Sequence, residues 1–286
     1  GGTSADAPTL VTLGGNITVP AGGDYDTPPI NGSGHFKIDG GGHTITWEST
    51  ANNHHLLGNT SPDADAVYIE LTNINLDRQD MNAAVGVYNG KITLGKDVAL
   101  SGQDGNMILA NGEKAALELG DGCELSYAAG SSPCCASAWF GAILVLNGGK
   151  TAAGAYIGLD CNFYPAVSYP LISVPKALTG DVHLLLKMIG TTPVAQGIGN
   201  YQLTQADCDR LKVNPESTVS LYMGQRDKYD GNFELHLDPA ASFQIKLRPK
   251  NFTPPTSGNI DVTNMTDVVA QITIRAALEA GHTDLK

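Results

Sequence analysis

The chain has 286 residues, with 17 Lys and Arg against 29 Asp and Glu, for a formal charge of −12 at pH 7. That balance excludes a partner held through phosphates, which needs clustered cations, so no nucleic acid is expected. Hydrophobic residues reach 42%, enough for a core. No apolar run attains the about 18 residues of a membrane-crossing helix, so no transmembrane segment is expected either.

The 34 glycines, often beside Asn or Asp, suit many short strands joined by turns that need positive φ. Residues 1–34 are rich in Gly, Pro and Asp around one strand-like run at 10–19, and read as an N-terminal cap segment over a first coil. The opening Gly1-Gly2-Thr3-Ser4 suits a processed secreted protein and a cytosolic one alike. The first rung is His35-Phe36-Lys37-Ile38-Asp39-Gly40-Gly41-Gly42-His43-Thr44-Ile45-Thr46-Trp47, with apolar residues alternating on both sides of a glycine turn. Val67 to Leu71 with Ile74-Asn75-Leu76 forms the second.

A phrase then recurs. Val87-Tyr88-Asn89-Gly90-Lys91, Leu109-Ala110-Asn111-Gly112-Glu113-Lys114 and Leu146-Asn147-Gly148-Gly149-Lys150 each lead into a strand. The segment Ile92-Thr93-Leu94-Gly95-Lys96-Asp97-Val98-Ala99-Leu100 aligns without gaps to Leu117-Glu118-Leu119-Gly120-Asp121-Gly122-Cys123-Glu124-Leu125. Repetition at periods of about 20–50 residues marks a repeat architecture, and strand-length units make it a β-solenoid. A fifth rung, Ala142 to Leu146 with Ala155 to Leu159, follows an excursion at 128–138. A sixth pairs Leu171 to Val174 with Val182 to Leu186. Beyond residue 200 the grammar changes to half-polar strands at 219–223, 233–237 and 243–247, read as a small antiparallel β cap with one wet face.

The expected organisation is therefore all-β: residues 35–200 as a single-stranded parallel β-helix of about six coils, residues 201–250 as the β cap, and residues 251–286 as a linker followed by a short C-terminal helix or the start of a further module. The linker reading rests on Asn251-Phe252-Thr253-Pro254-Pro255-Thr256-Ser257-Gly258, the helix on a start at Thr266 and a stop at Gly281.

Ile38-Asp39-Gly40-Gly41-Gly42-His43-Thr44-Ile45 resembles the opening coil of right-handed parallel β-helices of the pectin-lyase-like class. Ile172 to Gly180, then Pro193-Val194-Ala195-Gln196-Gly197 and Tyr201-Gln202-Leu203-Thr204, is similar to the closing portion of adhesin-like β-helix modules of large surface proteins from gut and oral anaerobic bacteria. The resemblance spans residues 35–247. It implies a secreted or surface-tethered, generally non-catalytic β-helix of a family with no agreed ligand. Together with the missing catalytic constellation, the expected function is binding of a glycan or of a host or matrix ligand by one module of a longer chain.

Enzymes of this fold need carboxylates and a basic residue converging from neighbouring coils. The coil acids Glu70, Asp77, Asp97, Asp104, Glu118, Asp121 and Glu124 are scattered and mostly beside turns, where Asp satisfies backbone. Arg78, in Asp77-Arg78-Gln79-Asp80, reads as a local ion pair. His54-His55 point to opposite sides of any strand, and His35 with His43 could approach across the glycine turn. Asp97 stacked on Asp121, Asp24-Tyr25-Asp26 and Asp227 to Asn232 have the composition of cation loops, against which stands the plainer reading of solvated turns. No cofactor or metal is expected.

Aromatic rings are the common means of holding a sugar on a β surface. Trp139, Phe140, Tyr164 and Tyr169, near the two long excursions, are the candidate ligand-binding residues, against the plainer reading that they pack a loop on the solenoid's flank. Five cysteines occur without metal-type spacing. Cys123 fills the apolar slot of Val98 one repeat earlier, and a bridge from the Cys134-Cys135 pair to Cys161 is one option. Asn-x-Thr/Ser triplets such as those at Asn16 and Asn59 read as chance. Two rivals to the binding module stand: a polysaccharide lyase or hydrolase of the same fold, and a structural stalk.

Overall fold

A computed structural model describes residues 2, 4–20, 33–48, 57–78, 83–102, 107–128, 134–160, 171–187, 193–213, 219–225 and 233–239. The strands come turn by turn. β1 (Thr9–Thr12) and β2 (Ile17–Val19) open the series. Full turns follow: β3 (Gly34–Asp39), β4 (Thr44–Trp47), β5 (Leu57–Gly58); β6 (Val67–Thr72), β7 (Ile74–Arg78), β8 (Val85–Val87); β9 (Gly90–Leu94), β10 (Val98–Gly102), β11 (Ile108–Asn111); β12 (Ala115–Leu119), β13 (Glu124–Ala128), β14 (Cys134–Trp139); and β15 (Ile143–Leu146), β16 (Lys150–Thr151), β17 (Tyr156–Asp160). Then come β18 (Ile172–Val174), β19 (Val182–Lys187), β20 (Pro193–Gly197), α1 (Gln205–Arg210), β21 (Leu211–Val213), β22 (Val219–Gln225) and β23 (Phe233–Pro239).

Three sheets run along the stack. The first has the order β1-β3-β6-β9-β12-β15-β18-β20-β23-β22, the second β2-β4-β7-β10-β13-β16, and the third β5-β8-β11-β14-β17-β19-β21. All pairing within the turns is parallel, as a β-solenoid of about six turns requires. The alternation of side chains sends every second residue inward. Phe36, Ile69, Ile92, Leu117, Leu144, Ile172 and Ala195 are successive register partners across the first sheet. Val85, Ile108, Ala136, Ile157, Leu184 and Val213 form the matching column on the third. Nearly all of these side chains lie in one continuous core, and each fully buried Leu or Ile contributes about 1.5–3 kcal/mol.

The gapless alignment holds on the first sheet, where Leu117 stands over Ile92, and slips on the second. There Ala99 partners Ser126 and Leu100 partners Tyr127, not Glu124 and Leu125. The corner at 120–123 absorbs the two extra residues: Cys123 N–H closes it on the Gly120 carbonyl, and Gly122 takes a φ of 73°. Cys123 remains in the core. A second correction concerns the excursion at 128–138. Its last part belongs to β14, with a bulge that inserts Cys135 between Cys134 and Ala136. Small side chains (Cys, Ala, Ser) hide this strand from a search for branched apolar residues.

Before residue 34, β1 and β2 add a layer parallel to β3 and β4. After residue 200, α1 and β21 lie beside the last turns, and β22 pairs antiparallel with β23, which pairs antiparallel with β20. The strand expected at 243–247 and the C-terminal helix fall outside the described residues.

Asn89-Gly90 and Asn111-Gly112 sit at the corner between the third and first sheets, whereas Asn147-Gly148 follows β15 at the corner between the first and second, so the third instance of the phrase is not equivalent to the other two. Asn59, fully buried, donates from Nδ2 to the carbonyls of Asp65 and Asn89, while its Oδ1 accepts from the Tyr88 and Asn89 amides. Gly90 has a φ of 125°, and a Cβ there would lie 1.9 Å from the Val67 carbonyl oxygen. Gly112 has a φ of 96° with nothing within 4 Å of such a Cβ. The two glycines therefore separate strain from collision. Gly112→Ala should cost only about 1 kcal/mol of backbone strain, and Gly90→Ala at least about 3 kcal/mol, since strands must part. Urea midpoints of the two variants check this ordering.

Candidate binding surface

The outward residues of each sheet form columns too. On the second sheet most are short: Thr18, Thr46, Asp77, Ser101 and Ala128 in one column, Thr44, Asn75, Ala99 and Ser126 in the next, with Glu124 and Lys150 as charged register partners further along. Ser101 Oγ donates to Asp77 at 3.0 Å. This face is flat.

The first sheet carries charge in matched pairs. Lys37 meets Glu70 at 2.7 Å across one layer, both half-exposed. Lys91 meets the buried Glu118, which also accepts from Asn147 Nδ2 at 2.9 Å. Lys150 faces Glu124 at 2.9 Å on the second sheet, and Lys176 faces Asp121 at 3.1 Å at the 120–123 corner. Exposed pairs of this sort contribute little to stability, at most about 1 kcal/mol. Asp97, weighed as a calcium partner of Asp121, lies 3.7 Å from Lys96 instead. Among the described residues no group of three or more His, Cys, Asp and Glu converges. Asp24, Asp26, His54, His55 and the 227–232 loop lie outside them.

Arg78 lies in a strand and not in a turn; Gln79 and Asp80, beside which the local ion pair is expected, lie outside the described residues. Arg78 is the last residue of β7, points inward and is fully buried, register partner of the equally buried Trp47. Period-two alternation from Ile74 and Leu76 assigns it there, a signal set aside because the side chain is charged. His35 does not approach His43. Its ring stacks on Tyr68, centroids 4.3 Å apart and planes 4° from parallel. Stacked one layer over the next, each ring covers a face of the other, which removes that face from a sugar.

Of the expected ligand contacts, the structure brings Trp139 and Phe140 together; Tyr164 and Tyr169 lie outside the described residues. The two rings are edge to face, centroids 6.4 Å apart at 82°, both half-buried. Trp139 ends β14 as register partner of Asn111, so Phe140 occupies the position that Gly112 holds one layer earlier. Its φ is 54°. A bulky residue in the left-handed region is an outlier costing about 1–2 kcal/mol, and the corner keeps it. The Trp139 carbonyl accepts from the Gly112 and Ala142 amides, fixing the turn to both neighbouring segments.

On the third sheet's outer side, Cys134 and Ser137 are buried, their Sγ and Oγ 3.5 Å apart beside Gly158. Burial pushes the Cys135 thiol up to about 12, reinforced by the nearby Cys134. Cys123 rises to about 12 as well, from burial and then the charge of Glu124. Both are free thiols; Cys161 and the side chain of Cys208 lie outside the described residues. With so little thiolate, Cys123 and Cys135 should resist iodoacetamide at pH 8 in the native protein and alkylate fully in denaturant. Labelling of either at a native rate near that of a free thiol would contradict the assignment.

Asp207 secures the closing segment. It is buried, which alone would raise its pKa. Bonds from the Tyr201 hydroxyl, the Leu178 amide, and the Thr204 hydroxyl and amide outweigh that, and the net pKa is lowered. Thr204 and Asp207 form a capping box at the start of α1. Burial and then the Asp207 bond push Tyr201 up to about 12. A carboxylate depressed in the folded state stabilises above its unfolded pKa, near 4, and that contribution fades as pH falls through the lower folded value. Thermal melts from pH 6 to pH 2 should show acid-induced loss, reduced in Asp207→Asn, which starts less stable.

No family model matches the chain, and neither a curated protein nor a solved structure similar to it was found.

Proposed function

We propose that the chain is a non-catalytic β-helix module of a secreted or cell-surface protein, adhesin-like in kind, which holds a glycan or a host or matrix ligand at the corner formed by Trp139 and Phe140. The observation that carries this is Phe140 in left-handed backbone, where the preceding layer has Gly112. Strain retained by a large aromatic ring beside a second one points to a role outside folding. Sugar rings stack on such surfaces, and rigid scaffolds carry function on their corners and loops. The scatter of the coil acids, with no convergent group of three or more among the described residues, supports binding over cleavage. A spacer role is the second reading, favoured by the flat Thr, Asn, Ser and Ala face of the second sheet.

Relief of the strain at φ 54° offsets the lost ring contact and partial burial, so Phe140→Gly should change stability by no more than about 1 kcal/mol in either direction. The same substitution should weaken binding on a glycan and matrix-protein array by at least about tenfold, the loss of one stacked ring. An array blank for the parent chain sinks the binding reading and leaves the spacer. Release of unsaturated or reducing ends from a pectin, alginate or glycosaminoglycan panel would instead establish the enzyme.

A further inference from the structure

The corner that carries Trp139 and Phe140 stands one layer over Gly112, Glu113 and Lys114, and the two charged residues of that lower turn go opposite ways. Lys114 Nζ donates to the Pro62 carbonyl at 3.1 Å, reaching back along the stack toward earlier layers. Glu113 goes forward, onto Gly141, the residue that follows Phe140. The position of a Cβ on Gly141 is 2.9 Å from Glu113 Cγ and 3.6 Å from Glu113 Cα, so the side chain leans up against this glycine. Glu113 is exposed, which leaves its carboxylate open to solvent beside the ring pair.

The chain around this corner is one-sided in charge. Between Lys114 and Lys176 it has one Lys or Arg, Lys150, and no His, and that stretch includes both long excursions. Lys150 is held by Glu124 at 2.9 Å on the second sheet, and Lys91, on the first, is held by Glu118. Asp160 is the register partner of Trp139 in the next layer, so an acidic residue stands in the layer on either side of the ring pair. A ligand carboxylate or sulfate meets like charge here, and like charges brought together are an effective means of rejecting a partner. A protonated amine meets the reverse: a carboxylate for a charge-assisted hydrogen bond and aromatic rings for cation–π attraction.

We infer that the corner selects a glycan without carboxylate or sulfate groups, and within that class one that carries free amines, with Glu113 as the residue that sets the preference. This rests on the reading of Trp139 and Phe140 as the ligand site. The rings supply the sequence-tolerant part of the contact, a stacking surface for any sugar, and Glu113 supplies the discrimination.

Titration calorimetry with three probes tests it: oligosaccharides of glucosamine, of N-acetylglucosamine and of galacturonic acid. At about pH 6 the glucosamine oligomer should bind about tenfold more tightly than its acetylated counterpart, and the galacturonate oligomer should not bind. Glu113→Gln, at an exposed position whose change leaves the fold intact by circular dichroism, should bring the first two affinities within about threefold of each other. A parent chain that favours the galacturonate oligomer, in binding that Phe140→Gly weakens, overturns the selectivity and leaves the corner as the site. Equal affinity for the first two oligomers, or an amine preference kept in Glu113→Gln, overturns it in the same way. Failure to bind any of the three also overturns the selectivity, and the glycan and matrix-protein array then decides separately whether the corner binds anything.

Discussion

In-register stacking of like side chains on parallel strands is the constraint on which everything else rests. Ile92 is inside because Ile69 and Leu117 are directly below and above it. Each layer supplies the other half of its neighbour's hydrogen bonds and apolar contacts, and none could bury its inward residues alone. Stability in such an array is close to a sum over neighbouring layers. A residue's importance therefore depends less on its own turn than on what stands one layer away.

The corners are where the chain must turn without breaking that register, and their chemistry differs. Asn59 satisfies four backbone groups across two layers, Gly90 lets two backbones touch, and the 120–123 corner stores two extra residues. Phe140 stands apart as the one aromatic residue with positive φ among the described residues. That mismatch between local preference and observed residue is what distinguishes it from the other aromatics, among them His35 and Tyr68, whose mutual stacking belongs to the ladder itself.

The parallel solenoid, its period and the core columns of the first sheet were legible in the sequence because alternation and Asn-Gly punctuation repeat there. What escaped reading had weak local signals. β14 is built from Cys, Ala and Ser, and the two-residue slip at Cys123 leaves hydrophobicity unchanged while moving the partner. Arg78 alternates inward with Ile74 and Leu76, but its charge argued for a turn. The Lys37–Glu70 and Lys91–Glu118 pairs join residues a full coil apart in sequence, so only the register brings them together. The aromatic corner was half legible: Trp139 and Phe140 could be named, and the strain that singles out Phe140 could not.

Methyl-labelled protein offers the most direct test of the stacked column. Nuclear Overhauser contacts should run from the methyl groups of Ile69 to Ile92, from Ile92 to Leu117, and from Leu117 to Leu144, in unbroken sequence up the first sheet. Strong contacts of Ile92 confined to its own turn, with none to Leu117, would contradict the architecture and the surfaces built on it.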